Sequence, residues 1–317
     1  MTTTKKELLS VIVPCYNEQE SIPMFYSKTL EVFKSLKEKY ELIFVNDGSN
    51  DNSLQEIIKI VNKDKNVSYI SFSRNFGKES AMYAGLKNAN GDYVVIMDAD
   101  LQHSPKILPN MLDIIKSNKC DSVATKRVSR TGEKVGRSLF SKLFFNLVNK
   151  SSNIRIEDGA MDFRLMNRKM VNAILALSEY NRFTKGIFSW VGFNTYWLEV
   201  ENEERVAGKT SWNFWGLTKY AINGIIDFSN VPLDLASFLG IGMTILAFIY
   251  LLIIIIKYLI VGDPVQGWAT LICVILIIGG IQLFCLGIIG QYIGKTYLET
   301  KRRPHYIVNE TNIKSVK

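Results

Sequence analysis

The sequence contains two histidines and four cysteines in 317 residues. With only His103 and His305 available, a His-rich zinc site or a His-centred triad is excluded as the main chemistry. Any metal should therefore be held mainly by oxygen. Cys15, Cys120, Cys273 and Cys285 are too scattered for a disulfide framework and read as ordinary buried residues. Neither a Gly-x-x-x-x-Gly-Lys-Ser/Thr loop nor a Gly-x-Gly-x-x-Gly turn follows the first strand-like run, so ATPase and dinucleotide-oxidoreductase readings lose their support. Met1 to Glu7 is polar and Leu8 to Val13 is too short for the apolar part of a signal peptide, so none is expected.

Charge is missing in two long runs, over 22 positions from Leu235 to Ile256 and over 30 from Val265 to Gly294. At 1.5 Å per helical residue the shorter run reaches ~33 Å, enough for a hydrocarbon core of about 30 Å, so both predict membrane spans. The expected organisation is a cytoplasmic domain over 1–210, an amphipathic juxtamembrane segment over 211–234, two spans within 235–294 and a basic cytoplasmic tail over 295–317. Lys295, Lys301, Arg302, Arg303, Lys314 and Lys317 follow the second span, which places both ends in the cytoplasm by the positive-inside rule. The net charge of +8 has no dense basic run with interleaved aromatics in the front domain. It predicts attraction to anionic lipid and phosphate-bearing substrates, with no nucleic-acid partner.

Along the first 125 residues, β-rich runs at 8–14, 41–46, 67–72, 93–97 and 121–125 alternate with helical patterns at 21–39, 53–62, 77–88 and 105–117. Alternation of this kind predicts a doubly wound, Rossmann-like α/β sheet with ligands beyond the carboxyl ends of its strands. Polar clusters stand at those ends: Tyr16-Asn17-Glu18, Asp47-Gly48-Ser49, Ser73-Arg74-Asn75 and Asp98-Ala99-Asp100. Asp98 and Asp100 place two carboxylates in one small volume, where repulsion raises a pKa unless a cation intervenes. Mg²⁺ or Mn²⁺ meets that need, and Gln102 adds an amide oxygen on the same edge.

Val13 to Glu18, Val45 to Asp51, Phe72 to Glu79, Met97 to Gln102, Asp162 to Leu165 and Glu204 to Trp212, in that order, resemble glycosyltransferase family 2 and its polyprenyl-phosphate branch. The likeness runs from about Val11 to Val308 and includes the paired spans and Ile289 to Gly294. It implies a GT-A fold. It also implies a nucleoside pocket of Pro14, Tyr16, Asn17, Glu18 and Asp47, with Asp47 accepting from the base and Glu18 from the ribose. Asn75, Lys78, Asp98 and Ala99 join the nucleotide-sugar contacts, Asp98, Asp100 and Gln102 hold the metal, and Arg205 and Lys209 reach the diphosphate. Asp100, Asp162 and Arg205 are the implied catalytic residues, with Asp162 either a base or a group that orients the sugar or the attacking phosphate.

The acceptor side is expected in an amphipathic helix near 135–150, which alternates lysines and arginine with Leu139, Phe140, Leu143 and Phe144. It either lies in the headgroup layer or packs its apolar side on the sheet. Arg127 and Arg137 are the candidates for the lipid phosphate, because guanidinium binds it bidentately. A processive synthase fits poorly, since Glu179-Tyr180-Asn181-Arg182-Phe183 stands where Gln-x-x-Arg-Trp is expected. The resulting expectation is inverting transfer from a UDP-sugar, glucose or N-acetylglucosamine, to undecaprenyl phosphate for cell-envelope glycosylation, with self-association left open. Two rivals stand beside it. One is a non-catalytic nucleotide-sugar-binding membrane subunit; the other, a small transporter, is disfavoured by spans without ionisable residues.

Overall fold

The computed structural model describes residues 7–117, 119–127, 157, 159–200, 226, 229, 231–261 and 267–314. The expected helix near 135–150 with Arg137, the segment carrying Arg205 and Lys209, and most of the 211–234 stretch lie outside these residues.

Among the described residues, eight strands form one mixed sheet: β1 (Leu8–Cys15), β2 (Lys39–Asn46), β3 (Val67–Phe72), β4 (Tyr93–Ile96), β5 (Ser122–Arg127), β6 (Ala160–Asn167), β7 (Thr195–Val200) and β8 (Val308–Thr311). Their order is β7-β5-β6-β4-β1-β2-β3-β8. β1 pairs in parallel with both β2 and β4, and β2 with β3. β6 runs antiparallel between β4 and β5, and β7 runs parallel to β5. The chain thus winds outward from β1 to β3 and returns to β4 on the other side of β1, which opens a crevice between the carboxyl ends of β1 and β4.

β1 reads as a nearly continuous apolar run because it is buried on both faces. Leu9, Val11 and Val13 enter one core with α1 (Ser21–Ser35), α2 (Ser53–Val61) and α4 (Leu108–Lys116). Ile12 enters the other core, with α3 (Lys78–Asn88), α5 (Arg168–Ala176) and α6 (Thr184–Trp190). Each fully buried branched side chain of this kind contributes about 1.5–3 kcal/mol. Gly85 lets α3 approach closely, since a Cβ there would stand 2.2 Å from Ile12 Cγ2. Several boundaries differ from the sequence pattern, two of them in helices that flank the site. The first helix stops at Ser35 because Lys39 already begins β2, and Pro105–Ile107 is a 3₁₀ turn leading into α4.

α7 (Val231–Val261) and α8 (Trp268–Thr300) are 31 and 33 residues long. By length and composition, 231–250 and 277–300 are apolar enough to cross a membrane. Phe238, Leu259, Ile260 and Leu283 are each more than 70% exposed, an apolar surface that water does not favour. Cys285 Sγ of α8 donates to the Ala236 carbonyl oxygen of α7 at 3.4 Å, and the Tyr292 hydroxyl donates to the Ser229 carbonyl oxygen just before α7 at 2.6 Å.

Within the tail, Val308–Thr311 returns to the domain as β8, antiparallel to β3. Asn312 accepts from the Tyr69 amide at 2.7 Å, and the Tyr306 ring stacks on Phe72 with centroids 4.8 Å apart. Those contacts give a polar four-residue strand the partner it needs.

Candidate active site

The loops after β1 and β2 lock into one another. Asn17, at φ 57°, donates its amide N–H to Ser49 Oγ at 2.9 Å, and its side chain accepts from the Asn50 amide at 2.9 Å. The Glu18 amide donates to Ser53 Oγ at 2.7 Å, while the Glu18 carboxylate accepts from Ser21 Oγ at 2.7 Å at the start of α1. Gly48 is required by both conformation and space. Its φ is +63°, and a Cβ would meet the Arg74 carbonyl carbon at 2.3 Å.

Asp47 follows the end of β2. It is only 3% exposed, and its two oxygens accept the backbone N–H groups of Phe76 at 2.6 Å and Gly77 at 2.9 Å. Burial raises its pKa, and the two amide bonds and the Arg74 charge partly offset that rise. Asp47 thus holds the turn before α3. Pro14 and Ala99 are likewise buried in the fold rather than presented at its surface.

Beyond β4 the charged residues converge. Lys78, in the first turn of α3, places its ammonium 2.8 Å from Asp98 Oδ1 and 2.6 Å from Asp162 Oδ2. Burial pulls the Lys78 pKa down, but the Asp162 and Asp98 charges outweigh it and hold the ammonium above its ordinary range. Burial also acts to raise Asp162, yet the charges of Lys78 and Lys185, together with the Lys78 hydrogen bond, hold its carboxyl well below the usual range. Asp162 does not pair with Arg164. That guanidinium is buried under α6, bonded to Ser122 and Thr195 at 3.2 Å each and lying over the Phe188 ring.

After Asp100 the chain turns at Leu101, a buried residue at φ 56°, which lets the Gln102 amide donate to Asp100 Oδ1 at 3.1 Å. His103 stacks beside Phe163, and its Nδ1 is buried without a hydrogen-bond partner among the described residues. Burial lowers its pKa against the opposing charges of Asp98 and Asp100. Among the described residues no three His, Cys, Asp or Glu side chains form a metal cage. Asp98, Asp100 and the side-chain oxygen of Gln102 nonetheless fit a hard cation that draws its remaining oxygen ligands from a diphosphate, as Mg²⁺ and Mn²⁺ commonly do.

Glu79 lies behind this cluster. It accepts from the Thr184 amide at 3.2 Å and from the Thr184 hydroxyl, tying α3 to the start of α6. Burial and the neighbouring Asp162 charge push its pKa up to about 8. Arg127 ends β5, where its amide donates to the Gly159 carbonyl at 3.2 Å, and its charge reaches His103.

Beside the cluster, a cavity of about 450 Å³ is lined by Tyr16, Asn46, Gly48, Arg74, Asn75 and Asn309, among others. Tyr16 presents a 40% exposed ring there. Sequence reasoning missed His103, Lys185 and Asn309 as members of the site. Only His103 carried a signal, standing three residues after Asp100.

The sheet order, the switch point and the acidic turn after β4 define a GT-A domain. The chain matches the family model "Glycosyl transferase family 2" over residues 10–175. It belongs to glycosyltransferase family 2 and is a glycosyltransferase. It is 41% identical over 301 residues to the "Prophage bactoprenol glucosyl transferase homolog" of Escherichia coli K12, covering 95% of this chain and 98% of that one. It is 40% identical over 305 residues to the "SfII prophage-derived bactoprenol glucosyl transferase" of Shigella flexneri, covering 96% and 98%. A Synechocystis protein, "Uncharacterized glycosyltransferase sll0501", is 39% identical over 302 residues, covering 95% of each chain.

Proposed function

We propose that this glycosyltransferase moves a sugar, glucose or N-acetylglucosamine, from UDP to polyprenyl phosphate with inversion, on the cytoplasmic face of a membrane crossed by α7 and α8. The observation that carries the reading is the convergence of Asp98 and Asp162 on Lys78, 2.8 and 2.6 Å away, at the β1–β4 crevice. The relatives named bactoprenol glucosyl transferase support the lipid acceptor.

Asp98, Asp100 and Gln102 would hold Mg²⁺ or Mn²⁺, which when bound supplies Lewis-acid neutralisation of the departing nucleoside diphosphate. The remaining work belongs to the chain itself. Lys78 keeps Asp162 ionised. A carboxyl held so low is a weak proton acceptor, and a lipid phosphate, with its second pKa of about 6, is largely dianionic at neutral pH and needs none. Asp162 therefore orients the sugar or the attacking phosphate. Tyr16 offers its ring to the base, Asn75 lines the same cavity, and Arg127, with Arg137, receives the acceptor phosphate. Arg205 and Lys209 approach the donor phosphates.

The test incubates purified protein with Mg²⁺, polyprenyl phosphate and labelled UDP- and GDP-sugars. Label from a UDP-hexose entering the organic phase is the expected result. Transfer only from a GDP-sugar would overturn the donor, and release of free sugar without labelled lipid would overturn the acceptor.

A further inference from the structure

We infer that Asn309, on the strand that follows both apolar helices, reads the base of the nucleotide donor. This deepens the donor reading above and rests on it. The geometry begins with a β-bulge. Ser71 pairs with Glu310 and Phe72 with Val308, so Asn309 is the extra residue of β8 with no partner on β3. Bulges at sheet edges re-aim a side chain, and they recur beside active sites. Here the exposed Asn309 side chain is delivered to the wall of the 450 Å³ cavity that Tyr16 also lines.

The other polar groups of that region are largely committed. Asp47 holds the turn before α3. The Asn46 amide nitrogen donates to Ser71 Oγ at 3.0 Å, and its oxygen accepts from the Ser49 amide at 3.3 Å. Arg74 lies over the Phe76 ring and donates to the Asn75 carbonyl. Asn50 and Asn75 stand on loops past the strand ends, whereas Asn309 sits between two paired residues of a strand, the more exact mount for a recognition group. Among the described residues the Asn309 side chain makes no hydrogen bond, so its N–H donors and carbonyl acceptor remain available in one plane. A pyrimidine edge presents the complementary donor and acceptor, while the Tyr16 ring supplies a stacking face.

The experiment uses the full chain in detergent with a fixed concentration of Mg²⁺. UDP, GDP and inorganic pyrophosphate are titrated into wild type, Asn309→Ala and Asn309→Asp, and melting without ligand is followed in parallel. Loss of one base contact should weaken UDP about tenfold in Asn309→Ala and leave pyrophosphate unchanged. Asn309→Asp keeps the size but removes both donors, so it should weaken UDP at least as much and covers the case in which the alanine variant melts early. Equal UDP affinity in wild type and both variants would overturn the Asn309 role alone, as would parallel weakening of pyrophosphate. A wild-type chain that binds neither nucleotide would overturn the donor reading together with it.

Discussion

Lys78 Nζ lies 2.6 Å from Asp162 Oδ2, so a side chain from the first turn of α3 is the counterion of a carboxylate on β6, 84 residues further along the chain. The same ammonium reaches Asp98, and one cation therefore serves both acidic positions.

Replacing Lys78 with Met should leave both carboxylates without that counterion. Lys78 is 41% exposed, so solvent screening limits the stability loss to about 1 kcal/mol. Turnover should fall much further, by at least about tenfold, because each 1.4 kcal/mol of misplaced charge costs that factor in rate. Melting curves and labelled-lipid assays on the same preparation separate the two effects. A variant with wild-type turnover would refute the coupling.

Glu79 gives a pH dependence of definite sign. Its folded pKa is raised from an ordinary 4.5 to about 8. The folded state therefore binds this proton more tightly than the unfolded chain. The stability it contributes is fully present below the unfolded value and is lost as pH rises through the folded one. Glu79→Gln keeps an oxygen for Thr184 but removes the titration. Its melting temperature, measured from pH 5 to pH 9, should gain on wild type as pH rises. A constant difference across that range would contradict the assignment.

Asp98→Asn and Asp100→Asn preserve size while removing charge from the proposed cation site. Activity should drop by orders of magnitude, with circular dichroism unchanged, and a chelator should mimic the substitutions in wild type. Undiminished turnover in chelator-treated protein would exclude the metal.

On the acceptor side, Arg127→Gln and Arg137→Gln each remove a charge-assisted contact of about 1.5–3 kcal/mol, or roughly ten- to hundredfold in affinity. The apparent constant for polyprenyl phosphate should rise while UDP binding stays nearly unchanged. Lysine at either position should restore only part, because an ammonium lacks the bidentate fork. Loss of UDP binding with an unaltered lipid constant would move these arginines to the donor side.

The parallel half of the sheet was legible because strands buried on both faces are written as apolar runs, and each ends in a polar cluster. β6 hides its strand character behind Asp162 and Arg164, whose side chains interrupt the apolar pattern for the sake of the site and of the packing beneath α6. β7 is a partly exposed edge, and β8 is a polar tetrapeptide whose conformation is set by β3. The acidic residues and Lys78 stood out as motifs. That Lys78 joins two of them depends on where α3 starts relative to β4 and β6, which no local pattern records. Asp47 also stood out as a motif position, while its bonds to the Phe76 and Gly77 amides depend on where the turn before α3 falls.

The return of β8 to β3 also orders events in time. Asn312 meets Tyr69 across a separation of 243 residues, with both apolar helices in between. Contacts this distant in sequence form late, because a long loop must close before they repay its entropy. During synthesis the edge of β3 therefore stays open until residues 308–314 have emerged behind the hairpin of α7 and α8. A ribosome stalled within that hairpin leaves a catalytic domain with an unpaired strand edge, the kind of surface that recruits other chains. Completion of the sheet thereby becomes a late checkpoint on biogenesis, passed only after the apolar helices have been made.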